Sequence, residues 1–243
     1  MKRIVSSILM LHLVAVFAAQ ARADEPPPPW KGSMELSYLQ TSGNTSSQTF
    51  SGGLKIERNL SFAKLTLEGG ALYGKKEDVT SDESWFGSLK YDQNLTDRFY
   101  LFLLDKTERD TLKGIEFRYT HQGGLGYYLI KTEGDSLKLE AGGGYIHEDQ
   151  VDPFPDRGFP NARAFAGYTH NFSKTSRFDE WVEYLPDLNK TKDYVINEET
   201  ALITNLKGNL ALKVSFDVAF DNLPPPGFQK SDRLFKTALL YTF

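Results

Sequence analysis

Apolar and polar residues alternate with a period of two along most of this chain, and no other feature limits its fold as much. Phe50, Gly52, Leu54 and Ile56 alternate with Ser51, Gly53, Lys55 and Glu57. Leu137, Leu139 and Ala141 alternate with Lys138, Glu140 and Gly142, and Leu210, Leu212, Val214, Phe216 and Val218 with Ala211, Lys213, Ser215, Asp217 and Ala219. Successive side chains of a β-strand point to opposite faces, so the pattern describes strands with one apolar and one polar side. No stripe at helical spacing of comparable length competes with it. The class is all-β.

Clusters of turn-forming residues divide the chain into about twelve strands of roughly ten residues, the length with which a tilted strand crosses a bilayer. They fall near 30–40, 47–58, 62–75, 84–94, 98–109, 115–130, 136–148, 161–171, 177–185, 193–205, 209–220 and 233–243. The connections alternate in character. Asn59-Leu60-Ser61, Leu95-Thr96-Asp97, 131–135, 173–176 and Lys207-Gly208 are brief, whereas 41–46, 76–83, 149–160, 186–192 and 222–232 tend to be longer. Short periplasmic turns at one rim and longer extracellular loops at the other describe an antiparallel transmembrane β-barrel. Hydrocarbon offers no partner to a free backbone group, so a sheet that crosses it has to close on itself. Trp30, Tyr73, Trp85, Tyr127, Tyr145, Tyr168, Tyr184, Tyr241 and Phe243 all sit on the apolar register, many near strand ends, where interfacial girdles lie. A soluble exported β-domain that binds a small ligand is the alternative with the same alternation.

Composition removes other classes. The mean hydropathy of −0.41 is too polar for a bundle of membrane helices, although 17 Phe and 12 Tyr make the chain aromatic-rich. The balance of 28 Lys+Arg against 32 Asp+Glu gives no electrostatic grip on nucleic acid. With no cysteine there is no disulfide, thiolate metal site, Cys nucleophile or lipidated N-terminal Cys.

The ends of the chain read as instructions for delivery. Lys2 and Arg3 precede an apolar run from Ile4 to Ala19, and Ala21-Arg22-Ala23 has the small-x-small form of a cleavage site. Residues 1–23 are therefore expected to be a signal peptide cleaved after Ala23, a retained membrane anchor being the alternative. Loss of Lys2, Arg3 and Arg22 takes the formal charge from −4 to −7. Residues 24–29 contain Pro26 to Pro29 and form a stiff periplasmic N-terminal spacer, leaving 30–243 for the outer-membrane barrel. The last strand places Leu239, Tyr241 and Phe243 two apart and ends on the aromatic ring. It resembles the C-terminal strand that the barrel assembly machinery reads in Gram-negative outer-membrane proteins. The expected partners are that machinery and outer-membrane lipids, with no nucleic acid and no cofactor.

Trp30-Lys31-Gly32, Leu36, Leu39 and Ser42-Gly43-Asn44-Thr45 resemble the opening strand and turn of the YdiY-like family of salt-induced outer-membrane proteins. Asp110, Leu112, Arg118, Gly123-Gly124-Leu125-Gly126-Tyr127 and 137–142 are similar to its central hairpin. Asn and Gly tolerate positive φ, which suits Gly43 and Asn44 to a hairpin turn. The resemblance spans most of 30–243 and implies a barrel fold and an outer-membrane location; it implies no activity.

If the apolar register meets lipid, the other register faces a lumen. It carries Lys55, Glu57, Lys64, Glu68, Lys90, Asp92, Glu116, Arg118, Lys138, Glu140, Arg163, Lys213 and Asp217, with both signs on most strands. These charges either line a narrow channel for small polar solutes or pair across strands and fill the interior. The chemistry expected is non-enzymatic, a structural barrel or a passive conduit; an outer-membrane hydrolase is the alternative. Its catalytic base would come from His121, His147 or His170, and all three lie on the lipid-facing register. His147, Glu148, Asp149 and Asp152 form either a surface cation site or a solvated acidic loop. The stretches 152–160 and 223–228 are apolar and proline-rich; they either cover the outer mouth or simply stiffen their loops. The strand at 98–109 has no readable register where Phe99 to Leu104 is apolar on both faces, and Trp181 breaks the pattern in 177–185.

Overall fold

The computed structural model of the chain describes residues 30–41, 47–77, 79–190 and 192–243. The expected signal peptide, the proline spacer and the turn at Ser42-Gly43-Asn44-Thr45 lie outside the described residues. Twelve strands follow in order: β1 Lys31–Thr41, β2 Ser47–Asn59, β3 Ala63–Lys76, β4 Val79–Asn94, β5 Phe99–Asp110, β6 Ile115–Lys131, β7 Asp135–Gln150, β8 Arg157–Asn171, β9 Ser176–Pro186, β10 Tyr194–Lys207, β11 Leu210–Asp221 and β12 Ser231–Thr242. Each pairs antiparallel with its sequence neighbours, and β12 returns to β1, so the sheet is a closed barrel without an edge.

At the closure Ser33 faces Thr242 and Leu36 faces Leu239, while Gly32 and Phe243 exchange N–H···O bonds of 2.8 and 2.9 Å. Gly32 is there for a reason: a Cβ on it would stand 2.3 Å from the Phe243 ring, which lies across β1.

Two strands begin earlier than their hydropathy suggests. β4 takes in Val79 to Glu83, and β8 takes in Arg157 to Pro160. Pro160 is tolerated because β9 pairs with β8 only from Ala164 onward, apart from one bridge between Asn161 and Asp187.

Sidedness follows from which side chains converge. Lys90 on β4 pairs with Glu140 on β7, three strands away, and Lys213 on β11 reaches Glu35 on β1 across β12 at 2.9 Å. Such contacts form only on the concave side of a cylinder. The convex side carries exposed Met34, Leu36, Leu54, Leu67, Leu139, Leu202 and Phe216. Large apolar groups left exposed in a band around a closed sheet match a barrel whose outside meets acyl chains. The outward register also holds a polar cluster on β9–β10, in which Thr200 Oγ1 donates to Glu180.

The two unreadable stretches resolve cleanly. On β5, Leu101 and Leu103 point out while Tyr100 and Phe102 point in and are completely covered. On β9, Trp181 points in and stacks on Phe165 of β8, ring centroids 6.2 Å apart. The interior at these levels is partly aromatic. Near the periplasmic end of β10–β12, Ile203, Ala211 and Leu240 add a small apolar cluster inside.

Candidate functional site: the lumen and its outer mouth

Ion pairs line the interior in three groups, the first made of two neighbouring sets. In the first, Lys55 lies 2.8 Å from Glu68 and 3.6 Å from Glu57, and Lys64 lies 2.7 Å from Glu57. Lys90, 2.9 Å from Asp92, also pairs with Glu140. Glu140 accepts from the Tyr100 hydroxyl at 2.7 Å and from Arg163 Nη1 at 2.6 Å; Arg163 Nε donates to Glu183 at 2.6 Å. Arg163 lies over the rings of Phe102 and Phe165 and Lys90 over those of Tyr100 and Phe102, so aromatic faces support the cations.

A second network joins β1, β10, β11 and β12. Lys213 Nζ is 2.9 Å from both Glu35 and Glu199, and Lys236 is 2.9 Å from Asp217.

The third lies nearer the outer mouth. Arg118 donates to Glu148 at 2.7 Å and Glu108 at 2.9 Å, and Arg157 donates to Glu148 at 2.8 Å and Asp193 at 3.0 Å. Lys106 pairs with Glu108. Asp193, in the loop before β10, is buried, and burial with Asp221 and Asp187 nearby holds its carboxyl above the usual carboxylate range despite Arg157.

These networks do not fill the interior. Side-chain exposures of 49% at Lys55 and 37% at Glu68, inside a closed sheet, mean that the lumen is open to solvent beside β2–β3. Opposite, Phe102 and the Glu140 carboxylate have no exposure and the wall is packed solid. Above them a small cavity of about 30 Å³ is lined by Leu104, Thr120, Gln122, Ile146, Phe159 and Asn197 together with Arg118 and Arg157.

The two proline-rich loops meet over that cavity. Phe154, between β7 and β8, contacts Phe228, between β11 and β12, with ring centroids 6.5 Å apart. Their strands stand four apart in the barrel, so both loops lean across the mouth. Backbone bonds fasten them: Val151 N–H donates to Gly114 O at 3.0 Å, and Asn222 N–H to Tyr194 O at 3.0 Å. Gly114 has φ of 72°, and the Phe228 ring packs 2.8 Å from where its Cβ would stand, so this corner admits only glycine.

A family model described as "Protein of unknown function, DUF481" matches residues 34–243. The chain belongs to this family. It is 24% identical over 229 residues to the "Uncharacterized protein YdiY" of Escherichia coli (strain K12), which covers 94% of this chain and 89% of that one. Among solved structures it is similar to an outer-membrane channel from Pseudomonas putida F1, with TM-score 0.54, 9% identity, and coverage of 92% of this chain and 100% of that one. The NanC porin gives TM-score 0.50 at 9% identity, covering 88% of this chain and 98% of the porin. At such identities these two likenesses concern the fold.

Within this DUF481 barrel the charges on Lys55, Glu57, Lys64, Glu68, Lys90, Asp92, Arg118, Lys138, Glu140, Arg163, Lys213 and Asp217 share the concave register. Glu116 does not: a β-bulge between Ile115 and Phe117 turns it to the outer rim, 3.4 Å from Arg109. Glu148 leaves the acidic group formed with His147, Asp149 and Asp152, because it turns inward to Arg118 and Arg157. The histidines face outward, each beside an aspartate: His121 with Asp105, His147 with Asp149 at 3.1 Å and His170 with Asp135 at 2.8 Å. Lys106, Glu108 and Arg157 belong to the site although alternation did not mark them, and Glu148 belongs to it in phase with Lys138 and Glu140. Lys106 and Glu108 alternate with Asp105, Thr107 and Arg109, which leaves no apolar phase to read.

Proposed function

We propose that this protein is a passive, narrow conduit for small polar solutes across a Gram-negative outer membrane and catalyses no reaction. The carrying observation is the water-exposed pair Lys55 and Glu68 inside a closed barrel whose outside is an apolar band. Charges on the wall of an enclosed aqueous path replace part of a solute's hydration, which suits polar cargo. The likeness of fold to an outer-membrane channel supports the same reading. The three histidines face away from the lumen, so no hydrolytic base is drawn from them into the interior.

In this reading residues 1–23 direct export and are removed after Ala23, and 24–29 hold the first strand clear of the cleavage site in the periplasm. The barrel assembly machinery takes up the chain through Leu239, Tyr241 and Phe243. All three are exposed on the outward register, where an assembly factor can reach them.

Conductance tests the proposal. The refolded barrel in planar bilayers is expected to give discrete current steps, smaller than those of wide 16–18-stranded porins. Repeated reconstitutions of folded protein without steps would contradict it.

A further inference from the structure

Every strand of the barrel has two neighbours, yet the ladder that joins β12 to β1 is short. It holds the rungs from Ser33–Thr242 to Leu36–Leu239. On their other sides the same two strands pair much further, β1 with β2 from Lys31 to Thr41 and β12 with β11 from Ser231 to Tyr241. Among the described residues no rung joins 37–41 to 234–238. The periplasmic half of the seam is fastened on the lumen side by Glu35, 2.9 Å from Lys213 and 3.6 Å from Lys236.

Gly32 and Phe243 exchange N–H···O bonds across this seam, whereas Thr242 N–H donates to Asn209 O, on the β11 side, at 2.9 Å. The bonding direction repeats every second residue of an antiparallel strand. Thr237 and Phe235 therefore turn their backbone groups toward β1, as Tyr241 and Leu239 do, but meet no rung there. Hydrocarbon cannot satisfy such groups, so water from the lumen has to reach them. The outer half of the seam is a slot, about 16 Å long at about 3.3 Å per residue over 37–41.

Its lips are apolar on both faces. Leu39, on the inward register of β1, has 60% of its surface exposed, and Leu234 lies on the inward register of β12. Outside, Phe235 is 66% exposed and stands level with Phe216 in the lipid-facing band. Ser37, Thr49 and Ser51 put hydroxyl groups on the lumen wall next to the slot. An apolar gap between a wet lumen and acyl chains suits a molecule with a polar head and an apolar tail.

We propose that this slot passes the alkyl chain of a single-chain amphiphile between the lumen and the outer leaflet, while the polar head stays in the lumen. The proposal rests on the wet lumen of the conduit reading, and it adds a sideways exit and a second class of solute.

Photolabelling of the folded barrel in phospholipid nanodiscs tests it. The probe is lauric acid carrying a diazirine near its chain end, and mass spectrometry locates the adducts. Leu39 and Leu234, which face inward, are expected to be labelled. Thr41→Cys with Leu234→Cys would stand opposite each other if the ladder continued, so a disulfide between them closes the open end of the slot. Oxidation of that variant should abolish labelling of Leu39, and reduction should restore it. Leu39→Asp, which puts a charge on the inner lip, should independently abolish labelling of Leu234. Heat-modifiable gel migration checks that each variant is folded. Adducts confined to outward residues, or labelling indifferent to both variants, would overturn the slot. Cysteine cross-links between copies in place of the internal bridge would give this edge to a second barrel and overturn it as well. Current steps without labelling of the inner lip would overturn the slot and spare the conduit; labelling without steps would do the reverse.

Discussion

A Cβ on Gly144 would stand 1.8 Å from the carbonyl oxygen of His121, and one on Gly124 or Gly142 would stand 2.3 Å from a backbone oxygen of the partner strand. These glycines face Gln122, Gly142 and Gly124 across β6–β7. Here the two backbones approach too closely for any side chain, and the sheet curls to close. Gly144→Ala is therefore expected to abolish the compact, heat-modifiable form, since neither clashing partner is a side chain that can swing away. Gly134→Ala, where nothing lies within 4 Å, should fold normally. A gel-shift assay on the two variants checks this, and an undisturbed Gly144→Ala would show that the curl has another cause. At the same scale, Arg163 holds two carboxylates, and breaking a buried pair by removing one partner costs about 3–5 kcal/mol. Its contribution is to position Glu140 and Glu183 more than to stabilise the fold outright.

At the scale of elements, the outer loops decide how open the barrel is. The contact between Phe154 and Phe228 joins two loops that no strand pairing connects. Replacing both rings, as Phe154→Ser with Phe228→Ser, removes the apolar contact while leaving the fastening bonds of Val151 and Asn222 in place. Single-channel recordings are expected to show a higher open fraction in the double variant. An unchanged open fraction would mean that the loops do not gate. Proline and aromatic residues marked both loops in the sequence, but their meeting was not legible, because contact between loops four strands apart depends on closure of the whole sheet. Strand order, strand length and the alternation of turns with loops could be read from the chain, since period-two patterning is local. Register could not be read on β5, where Tyr100 and Phe102 are apolar and yet point inward, because burial inside the barrel selects for aromatic groups as well as charged ones. Glu116 was misplaced because a bulge shifts phase and leaves no trace in alternation. Glu148 keeps the inward phase of Lys138 and Glu140 on an unbroken β7–β8 ladder; grouping it with its acidic neighbours in the chain obscured a placement that alternation already gave.

For the whole molecule, one residue set touches acyl chains while its sequence neighbours meet water inside a closed cylinder, and the conduit and the loop gate both follow from that division. The complete absence of cysteine allows the division to be measured at single positions. Neighbours Leu54 and Lys55 make the sharpest pair, the first exposed on the outward register and the second ion-paired on the inward one. Leu54→Cys and Lys55→Cys are each reconstituted in liposomes and treated with a charged, membrane-impermeant thiol reagent that reacts only in water. The account predicts rapid modification at position 55 and none at position 54. Equal modification of the two, or labelling of position 54 alone, would contradict it.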